Sequence, residues 1–263
     1  MTEYRNALPQ LGGELFLSDG GLETTLIFHG GFELPDFAAF PLLKSPSGEA
    51  ALRNYFQSYA DIATRHRTGL ILESATWRAS ADWGARLGYS PDELAEANRL
   101  AIALLEDIRN EVENDQTKLV ISGCIGPRGD GYVPTETMSG HAAEAYHTAQ
   151  IETFDQTAAD MVCAITMNYV EEAIGISRAA QRAGIPVAIS FTGRDRWPAA
   201  DRPDATERDR AGRPGHGRLP QLLHDQLRAP DPLCARAGRS SAVRPQNSRS
   251  ARQCFTHEPC RVE

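Results

Sequence analysis

Along the first 192 residues, short apolar runs alternate with longer segments of 3.6-residue period, the pattern of parallel strands covered by helices. Five runs read as strands: 14–18, 69–72, 118–122, 161–165 and 187–191. Each gives way to glycine or polar residues: Asp19-Gly20-Gly21, Glu73-Ser74, Gly123-Cys124, Thr166 and Thr192 in turn. Between them the helical period is clearest from Ser90, which caps, with Pro91 in the first turn and Glu93 closing a capping box. Leu94, Ala97, Ala101, Leu104, Leu105, Ile108 and Val112 then mark one apolar face. Segments 48–67, 141–158 and 171–183 carry the same period, the last stopped by Gly184 before Ile185-Pro186. Five βα steps without an antiparallel hairpin leave two α/β architectures, an open doubly wound sheet or a barrel. Both put ligands at the carboxyl ends of the strands.

The pattern stops after Thr192, which divides the chain into an α/β domain, 1–192, and a tail, 193–263. The tail has no Ile, Tyr or Lys, holds 8 of the 16 prolines and keeps no period of 2 or 3.6, so it reads as irregular or disordered rather than as further βα units. Charge divides at the same point. Residues 1–192 hold 13 Lys plus Arg against 26 Asp plus Glu, and the tail holds 14 Arg against 9 acids, within a net charge of −8. The acidic body excludes a nucleic-acid partner, because a phosphate backbone would repel it; only the Arg-rich tail suits anionic partners. No apolar run approaches the roughly 20 residues that cross a bilayer, and Met-Thr-Glu-Tyr-Arg lacks the basic-then-apolar order of a leader, so a cytoplasmic protein without a membrane partner is expected. Five cysteines, odd in number and without a CxxC pair, argue for reduced thiols and against a local zinc site.

Candidate chemistry gathers at the strand ends. Asp19-Gly20-Gly21-Leu22-Glu23-Thr24 follows the first strand, where its carboxylates suit an amine and its glycines admit close backbone approach; an acidic turn and helix cap is the plainer alternative. Glu73 ends the second strand and either meets a ligand or pairs with Arg78. Trp77 walls a pocket or covers the rim. The loop Gly126-Pro127-Arg128-Gly129-Asp130-Gly131 lacks the Gly-Lys-Ser/Thr ending of a phosphate loop, and its Arg-Gly-Asp is taken as coincidence. His147 and Gln150 read as helix packing, and Cys124 and Cys163 as small strand thiols.

In order and spacing, these segments resemble the homocysteine S-methyltransferase family through Asp19-Gly20-Gly21-Leu22-Glu23-Thr24, Gly31-Phe32-Glu33-Leu34-Pro35, Glu73-Ser74-Ala75-Thr76-Trp77-Arg78-Ala79-Ser80, Gly123-Cys124-Ile125-Gly126-Pro127 and Ser190-Phe191-Thr192. The resemblance implies a (β/α)8 TIM barrel, of which about five βα units are present. It implies a small-molecule thiol acceptor and a methyl donor, with Asp19 holding the acceptor amine. Gly20, Gly21, Glu23, Glu73 and Thr166 are the other candidate substrate-binding residues; no catalytic residue is assigned. Many members carry a Glu-Thr pair on the fourth strand, but here Ile165 stands at the Glu position beside Thr166, which puts homocysteine itself in question.

The family also uses zinc on three cysteines, one in an Asn-Cys context and two in a Gly-Gly-Cys-Cys context, and neither context occurs here. A free thiol has a pKa of about 8.5, and zinc deprotonates it outright. The chain is therefore expected not to bind zinc and to be inactive as an S-methyltransferase. A slipped reading frame explains the loss: codons can be written for 193–205 and 222–232 that, read one base on, give VETDGRLPTGQT and YYMINCAHPT, the second ending an apolar strand in Asn-Cys. Cys234, Cys254 and Cys260 are then accidental. The alternatives are a defective barrel fragment with exposed sheet edges and a non-catalytic binding protein whose basic tail engages anionic partners.

Overall fold

The computed structural model describes residues 2–134 and 136–192; the expected irregular tail, with Cys234, Cys254 and Cys260, lies outside the described residues. Five strands, β1 (Phe16–Ser18), β2 (Gly69–Glu73), β3 (Leu119–Ile125), β4 (Met161–Met167) and β5 (Val187–Phe191), form one sheet in the order β1-β2-β3-β4-β5. Every pairing is parallel. Six helices cover it: α1 (Leu22–Phe28), α2 (Pro46–His66), α3 (Ala81–Arg86), α4 (Pro91–Val112), α5 (Gly140–Asp155) and α6 (Val170–Ala183). Strand order follows chain order without the reversal that defines a doubly wound sheet, so the sheet is a curled segment of a barrel.

The strand residues divide between two packed layers, alternate positions facing opposite sides of the sheet, with β3 buried along its whole length. Leu70, Leu72, Leu119, Ile121, Val162 and Ala164 face the helices and pack with Leu52, Phe56, Leu105, Ile108, Phe154 and Ile176. The opposite face carries Phe16, Ile71, Val120, Met161 and Ala188, joined by Leu8 from the N-terminal segment. Each fully buried Leu, Ile or Phe contributes roughly 1.5–3 kcal/mol relative to exposure, so the helix-facing layer supplies most of the stabilisation. Gly123 belongs to that layer, because a Cβ there would meet the Phe154 ring at 2.7 Å.

Asp160, fully buried at the start of β4, ties the N-terminal segment to this framework. Its Oδ1 accepts the Glu3 and Tyr4 amides at 3.0 and 2.9 Å, and its Oδ2 accepts Arg109 Nη1 and the Ile121 amide at 2.9 and 3.0 Å. The elements expected from sequence are present with shifted ends. β1 is shorter than 14–18, whereas β3 and β4 run on to Ile125 and Met167. The capping box on α4 forms as read, Ser90 Oγ accepting the Glu93 amide and Glu93 accepting the Ser90 amide. Among the described residues, no helix is long and apolar enough to cross a membrane.

Candidate functional site at the strand carboxyl ends

Every residue singled out for substrate binding sits at the carboxyl end of the sheet. Asp19 follows β1 directly, Gly20 and Gly21 lead into α1, Glu23 lies in its first turn, Glu73 is the last residue of β2, and Thr166 lies near the end of β4. The glycine pair lets the β1–α1 turn sit tight. A Cβ on Gly20 would meet the Tyr59 hydroxyl at 2.6 Å, and one on Gly21 would meet Thr24 Oγ1 at 2.7 Å.

The structure brings Asp19 and Glu73 into electrostatic contact. Burial pushes the Asp19 carboxyl up to about 7; the Tyr55 hydroxyl, donating to Oδ2 at 3.2 Å, and backbone hydrogen bonds offset part of this, and the charge of Glu23 adds to it. Glu73 is pushed up further, to about 8, first by burial and then by the charge of Asp19. Ser122 and Cys163 lie close enough to moderate the shift, yet Glu73 Oε2 and Ser122 Oγ are buried without a hydrogen bond of ordinary geometry. Glu23 is also raised, by burial, against a backbone hydrogen bond and the nearby charge of Arg78. The arrangement is two buried carboxyls, both raised, with one oxygen lacking a hydrogen bond of ordinary geometry; a nearby positive charge would favour their ionised forms.

The open question of Arg78 resolves away from Glu73. Its guanidinium lies between the indoles of Trp77 and Trp83, 3.9 and 3.8 Å from the ring centroids, and Nη1 donates to the Gly129 carbonyl at 2.9 Å. Only 6% of the residue is exposed. Burial pulls the guanidinium below its usual range, against the opposing charges of Asp130, Asp36 and Glu23.

Trp77 covers the rim and reaches β4. Its Nε1 donates to Thr166 Oγ1 at 3.1 Å. The β4–β5 register shifts between Ala164 and Met167, and Thr166 has a φ of 60°, a left-handed conformation uncommon for a β-branched residue. This irregularity puts Thr166 against Trp77 and Gly131. Thr166 is thus linked to the acidic group through Trp77, Arg78 and Glu23. Ile165 offers no polar side-chain atom at the neighbouring position; its backbone carbonyl accepts the Thr166 hydroxyl at 2.6 Å.

Cys124 and Cys163 are register partners on β3 and β4. Burial holds both thiols well above their ordinary range, and the charge of Glu73 raises them further, so neither is a ready thiolate. Among the described residues, no three His, Cys, Asp or Glu side chains are grouped to hold a metal ion. The donor set that zinc requires is therefore not met by these residues. The Arg-Gly-Asp stretch is engaged internally, Arg128 Nε donating to Asp82 at 2.7 Å and Asp130 Oδ1 accepting the Tyr132 and Val133 amides.

Residues 16–207 match the family described as homocysteine S-methyltransferase, well over half of the chain. The chain belongs to the homocysteine S-methyltransferase family. Its fold is similar to that of the homocysteine methyltransferase MmuM from Escherichia coli. The oxidized form of that protein aligns with a TM-score of 0.60 at 19% identity, over 73% of this chain and 67% of MmuM. The metallated form gives 0.58 at 20% identity, over 72% and 67%. At such identities the likeness establishes the fold. A search of the curated proteins finds no match.

For a member of the homocysteine S-methyltransferase family, three features of this mouth were not read from sequence. Tyr55 holds Asp19, Arg78 lies between two indoles, and a buried His147–Glu172 pair stands behind the loop after β3. Tyr55 and Tyr59 are spaced i, i+4 on α2, a repeat that puts two hydroxyls on one helix face and was the available signal for the first.

Proposed function

We propose that the mouth is the acceptor-binding half of a methyl-transfer site, taking a small thiol that carries an amino group, and that this polypeptide does not itself catalyse the transfer. Asp19 and Glu73 bind the ammonium, Glu23 adds negative charge beside them, and Thr166 stands across the mouth, held by Trp77. One observation carries the reading: two carboxyls raised by burial, Glu73 also by the charge of Asp19 and Asp19 by that of Glu23, with Glu73 Oε2 left without a hydrogen bond of ordinary geometry. Glu73 on β2 supplies a carboxylate in a mouth where Ile165 on β4 supplies none.

The thiol must lose its proton before it can accept a methyl group, and zinc supplies that chemistry when it is bound in the family. The described residues do not offer its ligands, and three acidic side chains at the mouth oppose a free thiolate. Cys234, Cys254 and Cys260 lie outside the described residues, and we assign them no role.

Calorimetric titration of the full chain with L-homocysteine, and with its analogue lacking the amino group, tests the reading. Homocysteine is expected to bind and the analogue at least about tenfold more weakly, a ratio that Glu73→Gln should abolish. Equal binding of the two compounds by the unaltered chain would remove the amine site. Methyl transfer to homocysteine by the full chain would remove the claim of inactivity.

A further inference from the structure

Three consecutive backbone groups of the 126–134 loop are each held by a side chain from a different part of the fold. The Arg128 amide donates to Glu172 Oε1 on α6 at 2.7 Å, the Gly129 carbonyl accepts Arg78 Nη1 from beyond β2 at 2.9 Å, and the Asp130 carbonyl accepts Asn168 Nδ2 from beyond β4 at 2.8 Å. The first of these bonds is built differently from the others. Its acceptor is a carboxylate with a fully buried side chain, and the same Oε1 lies 2.9 Å from Nε2 of His147 on α5, also fully buried.

Stability alone gives little reason for this pair. His147 Nδ1 and Glu172 Oε2 are buried without a hydrogen bond of ordinary geometry, although the Tyr169 hydroxyl lies close to Glu172, and a well-packed apolar pair between two helices generally costs less than such ionisable groups. What the pair supplies is a fixed, charge-assisted acceptor for the loop, stronger than a neutral bond and unable to move, because both side chains are enclosed.

The loop passes that position to the mouth. Gly126 and Gly131 flank the held trio, and both lie against Trp77. A Cβ on Gly126 would overlap the Trp77 carbonyl, and one on Gly131 would stand 3.1 Å from the indole and 3.2 Å from Thr166 Oγ1. Trp77 in turn bonds Thr166. The two close glycine contacts thus connect the held trio to the indole and hydroxyl at the mouth.

We propose that Glu172 and His147 are positioning residues, which fix the 126–134 loop and through it Trp77 and Thr166, and so set how tightly the acceptor is held; the last step rests on the reading of the mouth given above. Hydrogen exchange of the full chain, followed by mass spectrometry, tests the loop separately from the ligand. In Glu172→Gln, which keeps the shape and loses the charge, amides of 126–134 are expected to exchange about tenfold faster while those of α4 are unchanged; Glu172→Leu should exceed this. If the leucine variant fails to fold, the glutamine variant decides. The dissociation constant for L-homocysteine should rise about threefold to tenfold in Glu172→Gln. Loop exchange equal to that of the unaltered chain would overturn the proposal, as would a loosened loop with unchanged homocysteine affinity. Should the unaltered chain bind no homocysteine, the reading of the mouth fails, and the exchange comparison still decides whether the pair fixes the loop.

Discussion

Glu73 exchanges stability for charge. Its carboxyl titrates near 8 in the folded chain, above the usual value of about 4.3 for an exposed glutamate, so the unfolded chain releases this proton first as pH rises. The sign follows directly. Below about pH 4 both states hold the proton and the group has no effect; between pH 4 and 8 stability falls; above 8 the full penalty, on the order of 5 kcal/mol, is present. Asp19, raised to about 7, acts in the same direction. Glu73→Gln is thus expected to melt with the unaltered chain at pH 4 and several degrees above it at pH 8.5, measured by calorimetry. A variant less stable at pH 8.5 would show that Glu73 is ionised and internally paired. That Glu73 and Asp19 lie at strand ends was legible in the polar residues closing two apolar runs. The influence of Asp19 on Glu73 was not, because residues 54 positions apart meet only through the parallel pairing of β1 with β2.

At the scale of elements, local rules were readable and long-range ones were not. Ser90 and Glu93 are three residues apart, so their capping box is encoded within four residues and forms as expected. The irregularity at Thr166 accompanies a hydrogen bond from Trp77, 89 residues away, and its own neighbours, Ala164-Ile165 and Met167, give only an unbroken apolar strand. Asp160 illustrates the same limit. It reads as a residue before a strand, yet it joins the N-terminal segment, α4, β3 and β4 through four hydrogen bonds, one of them also a buried ion pair with Arg109. Asp160→Asn would present an amide hydrogen to donors and leave the Arg109 guanidinium buried without its counter-charge. A loss of about 3–5 kcal/mol is expected in urea unfolding, against about 0–1 kcal/mol for removing the exposed Arg99–Glu96 pair by Arg99→Ala. Similar costs for the two would mean that the N-terminal segment is not held through Asp160.

For the whole molecule, the deciding feature is that, among the described residues, the sheet has β1 and β5 at its edges. Among the described residues β1 pairs only with β2, and β5 only with β4, whereas a closed eight-stranded barrel would join its first and last strands. We propose, from the change of composition beyond Thr192 and the peptides obtained one base on, that the reading frame slips there, which can be tested in protein. Deleting the first base of codon 193 is expected to yield a chain that retains about one zinc ion after dialysis and melts in one calorimetric transition, with calorimetric and van't Hoff enthalpies in agreement. The chain as it stands should retain less than about a tenth of that metal and melt with a van't Hoff enthalpy unlike the calorimetric one. Metal content separates the two states because three thiolate ligands define a tetrahedral site, whereas Cys124 and Cys163 are held protonated by burial and by Glu73. Equal zinc retention and equal cooperativity in both chains would mean that residues 193–263 complete the protein in the frame they have.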